Sequence, residues 1–415
     1  MRGILFALAG SAAAFTPAGV PARLLEEAGL IQTFDADFKP YSPHIKAYNF
    51  SVPIDHFHND TRYEPHSDDT YNLRYWLDAS NYRPGGPVIV LHAGEFTGEG
   101  RVPFLDHGIV PILTKPLGGV GIVLEHRYYG TSHPFSKLTK ENFRFLSVEQ
   151  ALADNAYFAK NIKFPGLEHL NLTAPGTPWI MYGGSYAGAI AALTRKVYPD
   201  VYWGGISSSG VPQALDEYWQ YLMDAKPFYP KGCVEATEKF VDVLDHTLFG
   251  GNEEEIEKLK KLFHLDGLQN DEFGLTVGSG IMALQSTNWD VEEENPKLAQ
   301  YCAIITSDAR LYGSTAHLIK PVKHFLSAAG FDDDDKLYAQ FLNWVGYTRH
   351  RVKSDFQGAC KGLSKVDCYS HRNRASSPDI TPSFQRSWDW QTCTEYVPRF
   401  ALFKFDSSVC ANTVR

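Results

Sequence analysis

The sequence predicts an α/β fold, a mainly parallel sheet with helices on both faces, followed by a long helical stretch. Two observations predict it. Between about residues 70 and 212, short apolar runs alternate with helix-forming segments, the pattern of strands joined by helical crossovers. One run, Pro178–Tyr182, meets small residues (Gly183, Gly184, Ala187, Gly188) crowded around Ser185, and the helix-forming run Ala189–Val197 follows. A strand that turns sharply into a helix with serine at the apex is a nucleophile elbow. Small neighbours let the helix and strand pack closely there.

The other elements follow in order. Pro87-Val-Ile-Val-Leu91 reads as a buried strand ending in the loop His92-Ala-Gly-Glu95, and Gly119–Leu124 as a second strand running into Glu125-His-Arg-Tyr-Tyr-Gly-Thr-Ser132. Ser147-Val-Glu-Gln150 has the spacing of a capping box and opens a helix through about Ile162. The elbow reads Gly183-Gly184-Ser185-Tyr186-Ala187, the G-x-S-x-G pattern with alanine in the last place. Its helix runs to Tyr198, and Gly204–Ser208 is another strand. In such sheets reactive groups gather at the carboxyl ends of strands, where these loops fall.

The character changes near Val211-Pro212. Residues from about 215 to 350 read as helical, with acid-to-base pairs at i,i+4 in Glu253–Lys261 marking an exposed helix. The run Asp332–Asp335 reads as a solvated loop and not as a metal site. Aromatic content rises again near Arg386–Glu395, where the chain rejoins the first part. The expected division is a signal peptide at 1–14, the first part of the core at 45–212, a helical cap at 213–385, and a return to the core at 386–415.

A chain of 415 residues with 13% aromatic and 21% charged residues is globular. A net charge of -9 with no basic stripe argues against nucleic acid as a partner. Met1-Arg2, the apolar run Ile4–Ala9 and Ser11-Ala12-Ala13-Ala14 form a signal-peptide pattern, cleaved after Ala14. That run is too short for a membrane anchor, and no other segment is long enough to span a bilayer. Asn49, Asn59 and Asn171 open glycosylation sequons. The six cysteines all lie beyond residue 232, and an even count after a signal peptide suggests disulfides. Cys360 and Cys368 are near enough in sequence to close a local loop; the other pairings are open. No C-x-x-C pair or His/Cys cluster points to a metal, and no cofactor is expected. The expected setting is extracellular, or vacuolar and lysosomal.

Serine hydrolysis needs a base for the serine proton, an acid to orient that base, and donors for the oxyanion. The elbow offers the backbone N–H of Tyr186 as one donor, and the loop carrying Gly94 and Glu95 is the candidate source of a second. His92 reads as structural, since the triad on this fold runs Ser, then acid, then His. Glu125 reads as structural too, pairing with Arg127 or a neighbouring backbone group.

These residues resemble the serine peptidases of the lysosomal Pro-X carboxypeptidase and dipeptidyl peptidase II type, with secreted fungal prolyl peptidases among them. The matching segments are Ala93-Gly-Glu95, Glu125–Gly130, Glu149–Asp154, Gly183–Tyr186 with Gly188, Ser207–Ser209 and Trp390–Glu395. They span about residues 93 to 395 in the family's order. The resemblance implies an α/β-hydrolase core with an inserted helical cap, and cleavage on the carboxyl side of proline in short peptides at acidic pH. Ser185 falls on the family's nucleophile. The partners implied are proline-containing peptides, with neither nucleic acid nor membrane, and a homodimer is left open.

One departure stands out. In the family the triad Asp and His follow the Trp-Gln-x-Cys segment, whereas here no histidine occurs beyond His371. The triad Asp and His are therefore not identified. The expectation is a C-terminus truncated before the last core strands, with His246, His264, His317, His324, His350 and His371 as the substitute bases to weigh. Two alternatives stay open: a peptide-binding homologue that does not cleave, and a carboxylesterase or lipase on the same fold.

Overall fold

The computed structural model describes residues 41–213, 220–286, 297–332, 334–358, 360–370 and 384–395. The segment expected at 1–14, His371 and Cys410 lie outside them.

The two most apolar runs become the deepest strands. β1 (Lys46–Pro53) and β2 (Thr70–Asp78) precede β3 (Val88–His92) and β4 (Val120–Leu124), and the last two are buried along their whole length. They pair in parallel, Val88 opposite Val120. A strand covered on both faces shows a continuous apolar run because none of its positions faces water. β5 (Trp179–Gly184) pairs in parallel with the other side of β3, and β6 (Gly204–Ser208) with β5. On the opposite flank β1 and β2 run antiparallel, and β2 joins β4 antiparallel. The order across the six strands is β1-β2-β4-β3-β5-β6.

Helices α1 (Ile109–Leu117), α2 (Val148–Asn161) and α3 (Tyr186–Val197) make the crossovers between the parallel strands. This mixed, mostly parallel sheet with its elbow after β5 is an α/β-hydrolase core. One face packs Trp76, Ile89, Leu91 and Val123 against Leu105 and Val110. The other packs Val88, Val90, Ile122 and Met181 against Phe158 of α2 and Ile190 of α3.

Among the described residues of the stretch read as helical, every regular element is a helix. α4 (Cys233–Gly250), α5 (Glu253–Leu262), α6 (Asn270–Gly278), α7 (Lys297–Ile305), α8 (Ile319–Ala328) and α9 (Asp335–Gln357) enclose a second apolar cluster centred on Phe240, Phe263, Phe341 and Trp344. Phe96, from the loop after β3, belongs to that cluster as well. Glu254 and Lys258 pair at i,i+4 on α5, as the charge pattern suggests. Within the acidic run, Asp334 caps α9 by accepting from the Leu337 amide and also meets Lys239. Cys360 and Cys368 form the local disulfide, and Cys233 pairs with Cys302 to join α4 to α7. The last described helix, α10 (Phe384–Thr394), returns to the sheet, where Trp388 is buried in the core.

The capping box at residues 147–150 forms only in half. Ser147 Oγ accepts from the Gln150 amide, but the Gln150 side chain does not reach back. Being fully buried, it finds closer partners in the loop after β1: it donates to Asp55 Oδ1 and accepts from the His56 amide. Glu395 caps a different donor of the first turn, its carboxylate accepting from the Val148 amide at 2.8 and 3.0 Å.

One buried ion pair ties these pieces together. Arg127, just beyond β4, meets Asp154 of α2 through Nε at 2.6 Å and Nη2 at 2.8 Å. Asp154 also accepts from Tyr71 Oη and pairs with His56 Nε2, while Arg127 donates to the carbonyls of Ile54 and Phe145. Burial raises the Asp154 carboxyl, and the Arg127 charge with the hydrogen bonds of His56 and Arg127 outweighs it, leaving it at about 2. A depressed carboxyl contributes its stability fully above the ordinary value of 3.8 and loses it as pH falls through about 2. Asp154→Asn should therefore cost about 3–5 kcal/mol at neutral pH, read as a lower urea midpoint. The double variant Arg127→Met/Asp154→Leu should recover part of that loss, because it leaves no stranded charge.

Candidate active site

The elbow is strained where the sequence places its serine. Ser185 sits at φ 62° and ψ -123°, a region that costs a non-glycine residue about 1–3 kcal/mol. Its amide donates to the Ser208 carbonyl of β6 at 2.8 Å, and its own carbonyl accepts from the Ala189 amide. Packing around it is tight. A Cβ at Gly183 would stand 1.9 Å from the Ala187 carbonyl oxygen, and one at Gly188 would stand 2.9 Å from Gly210 Cα. Alanine fits the last place of the motif, and its methyl faces the loop after β3: a Cβ at Gly94 would lie 3.2 Å from Ala187 Cβ. Ser185 is buried, and its Oγ has no hydrogen-bond partner among the described residues.

The Gly94–Glu95 loop thus lies against the elbow. Gly94 has φ 74°, and its amide donates to His92 Nδ1 at 3.2 Å, so that donor is engaged within its own loop. His92 is buried edge-on to His126, 5.4 Å between ring centres. Burial holds it well below its ordinary pKa, with the His126 charge acting in the same direction. Glu95 is buried with Oε1 unpartnered among the described residues. Burial pushes its carboxyl up to about 8, opposed by its own backbone amide and by Arg101.

Beneath the elbow lies a hydrogen-bonded cluster that motif reading did not foresee. Tyr186 Oη takes a bond from Gln391 Nε2 at 2.6 Å and lies 3.0 Å from His126 Nε2. His126 Nδ1 is 2.7 Å from the Arg127 carbonyl, which only accepts, so that nitrogen carries the proton. Nε2 then accepts from Tyr186 Oη, and the tautomer is fixed. Tyr129 Oη donates to Gln391 Oε1, closing the chain of bonds between α10 and the segment after β4. Burial drops His126 to about 4, partly opposed by its bond to the Arg127 carbonyl, so the ring is neutral near pH 7.

Of the two partners expected for Glu125, Arg127 is corrected, while a neighbouring backbone group, the Thr131 amide, is found at 3.0 Å. Arg127 points to Asp154, and Glu125 takes Arg74 at 2.8 Å together with the Gly98 and Thr131 amides and Ser132 Oγ. A Cβ at Gly130 would fall 2.0 Å from Glu125 Oε1, which explains a glycine there. Five of the histidines weighed as bases fall among the described residues, and all five lie elsewhere. His246 is exposed on α4, His350 is exposed on α9, and His264 follows α5. His317 and His324 line a cavity of about 560 Å³ beside Glu255 and Arg349. None of them is hydrogen-bonded to Ser185 among the described residues. Asn49, Asn59 and Asn171 are all exposed.

Residues 53–401 match the family of serine carboxypeptidases S28. The chain belongs to that family. It is 45% identical over 353 residues to a probable extracellular serine carboxypeptidase of Arthroderma benhamiae, covering 84% of this chain and 49% of that one. It is 25% identical over 348 residues to the serine protease vicPa of Bipolaris victoriae, covering 79% of this chain and 61% of the relative. The human thymus-specific serine protease is 34% identical over 152 residues, 36% of this chain and 28% of that one. The S28 chain therefore spans about half the length of the Arthroderma relative. Among the described residues no helix is long and apolar enough to cross a membrane.

Two tests follow from this geometry. Gly183→Ala should abolish soluble folding or sharply lower the melting temperature, because the clash is with backbone, while Ala187→Gly should fold. Glu95 has a raised pKa, so its contribution is full below the ordinary 4.5 and is lost as pH rises through about 8. The melting temperature of the native chain should fall between pH 5 and pH 8.5 by differential scanning fluorimetry (about the span of that titration), and Glu95→Gln should flatten the fall.

Proposed function

We propose that the chain is a secreted serine-type peptidase that cleaves on the carboxyl side of proline, with Ser185 as the acylated nucleophile. The observation that carries this is the buried, positive-φ serine at the β5–α3 elbow of a chain in the S28 family. Ser185 Oγ would attack the scissile carbonyl carbon while a base takes its proton. The resulting oxyanion would be met by the Tyr186 amide and a donor of the Gly94–Glu95 loop. The C–N bond then breaks, the amine leaves with a proton, and water hydrolyses the acyl-enzyme. The base is not placed among the described residues. Proline preference rests on the family resemblance, and the exposed sequons fit a secreted glycoprotein.

The unpartnered Ser185 Oγ favours a second reading, a homologue that binds peptides without cleaving them. Labelling with a fluorophosphonate probe separates the two. The peptidase reading expects adduct on Ser185, none in Ser185→Ala, and a fall of about 10⁴-fold or more in cleavage of a proline-containing peptide by that variant. A folded native chain that binds the peptide, leaves its mass unchanged and takes no label would establish the second reading instead.

A further inference from the structure

The geometry points to a divalent transition-metal site of the zinc class on the loop between β1 and β2, formed by Asp55, His58 and His66 with Asp68 as the fourth donor. One ligand atom from each of Asp55, His58 and His66 lies within 4.8 Å of the others. Asp55 is buried, and its carboxylate is already aimed: Oδ1 accepts from the Phe57 amide at 2.9 Å and from Gln150 Nε2 at 2.8 Å. Oδ2 is left for His66 Nδ1 at 2.7 Å. The imidazoles of His58 and His66 stand 5.4 Å apart with a 34° tilt. Asp68 Oδ1 is 3.8 Å from His58 Nδ1.

A tetrahedral zinc with N and O ligands at about 2.0–2.2 Å sets its ligands roughly 3.3 Å apart. The Asp55, His58 and His66 donors must close by about 1.5 Å at most to reach that spacing, and Asp68 must swing in from its place beside His58. The half-exposed His58 and the fully exposed Asp68 can move that far, because neither is packed in a core. The ion would replace the proton now shared between Asp55 Oδ2 and His66 Nδ1. Two carboxylates balance its charge, and two imidazoles select zinc, cobalt, nickel or copper over magnesium and calcium, which prefer all-oxygen shells. The Gln150 and Phe57 bonds serve as the outer shell that orients the buried carboxylate.

Bound metal would staple residues 55–68 to the face of α2, one residue from the bond between His56 and Asp154. The test uses the untagged, chelator-treated full chain at neutral pH, titrated calorimetrically with zinc chloride and followed with cobalt(II) by visible absorption. The expected result is one saturable equivalent, a tetrahedral cobalt spectrum, and a rise in melting temperature with zinc but not magnesium. His58→Ala should fold, since that side chain is largely exposed, and should bind zinc at least about tenfold more weakly. Asp68→Asn provides a second variant on an exposed position. Absence of a saturable equivalent, or unchanged affinity in both variants, would overturn the site and leave Asp55–His66 as a hydrogen-bonded loop closure.

Discussion

Arg127 and Asp154 are both removed from water, which costs several kcal/mol for each ion before any partner is counted. The pair is tolerable because nothing in it is left unsatisfied. Two guanidinium nitrogens meet the two carboxylate oxygens, and Tyr71 and His56 take further positions on Asp154. The remaining guanidinium donor reaches the carbonyls of Ile54 and Phe145. Five segments therefore converge on one ion pair: the loop just after β1, the start of β2, the turn after β4, the stretch at Phe145 before α2, and α2 itself. Its effect reaches the candidate site through a single neighbour. His126 precedes Arg127, and its proton rests on the Arg127 carbonyl. Fixing the arginine fixes the imidazole that accepts from Tyr186, the residue next to the candidate nucleophile.

The elbow stores strain that its surroundings must hold. Ser185 keeps its positive φ because β6 binds its amide and α3 begins at the next residue. Gly183 and Gly188 let the strand, the helix and the turn after β6 approach to distances that a methyl group would forbid. Tyr186 anchors the first turn of α3 from below through Gln391 and His126. Segments that look independent in the sequence thus act together. Trp390–Glu395 supplies both the glutamine under the elbow and, through Glu395, the cap on α2.

The legible parts are those fixed by local patterns. Continuous apolar runs located β3 and β4 within a residue, and the small-residue cluster located the elbow because steric demand there is local. The Cys360–Cys368 pair was readable for the same reason, being eight residues apart. What could not be read depends on partners brought together by the fold. Glu125 does meet a nearby backbone amide, that of Thr131, but its ion-pair partner is Arg74, 51 residues away on β2, and not its neighbour Arg127. Gln150 looked like half of a capping box, but a buried amide takes whichever partners lie in its own plane, and those came from the loop after β1. The grouping of Asp55, His58 and His66 has no such local signal, because no ligand pattern joins these three positions and the loop between β1 and β2 brings them together only in the fold.

The charged and uncharged carboxyls of this core respond to acid in opposite ways. Asp154 is held ionised by Arg127, so its contribution survives until pH falls well below 3.8. Glu95 is favoured in its neutral form by burial, so its contribution is complete below 4.5 and declines as pH rises toward about 8. The two windows overlap in the mildly acidic range. There the ion pair that fixes the segment after β4 is intact, and the loop facing the elbow carries no unpaired buried charge. His126 resists protonation until about 4, so the Tyr186 hydroxyl keeps its acceptor across the same interval.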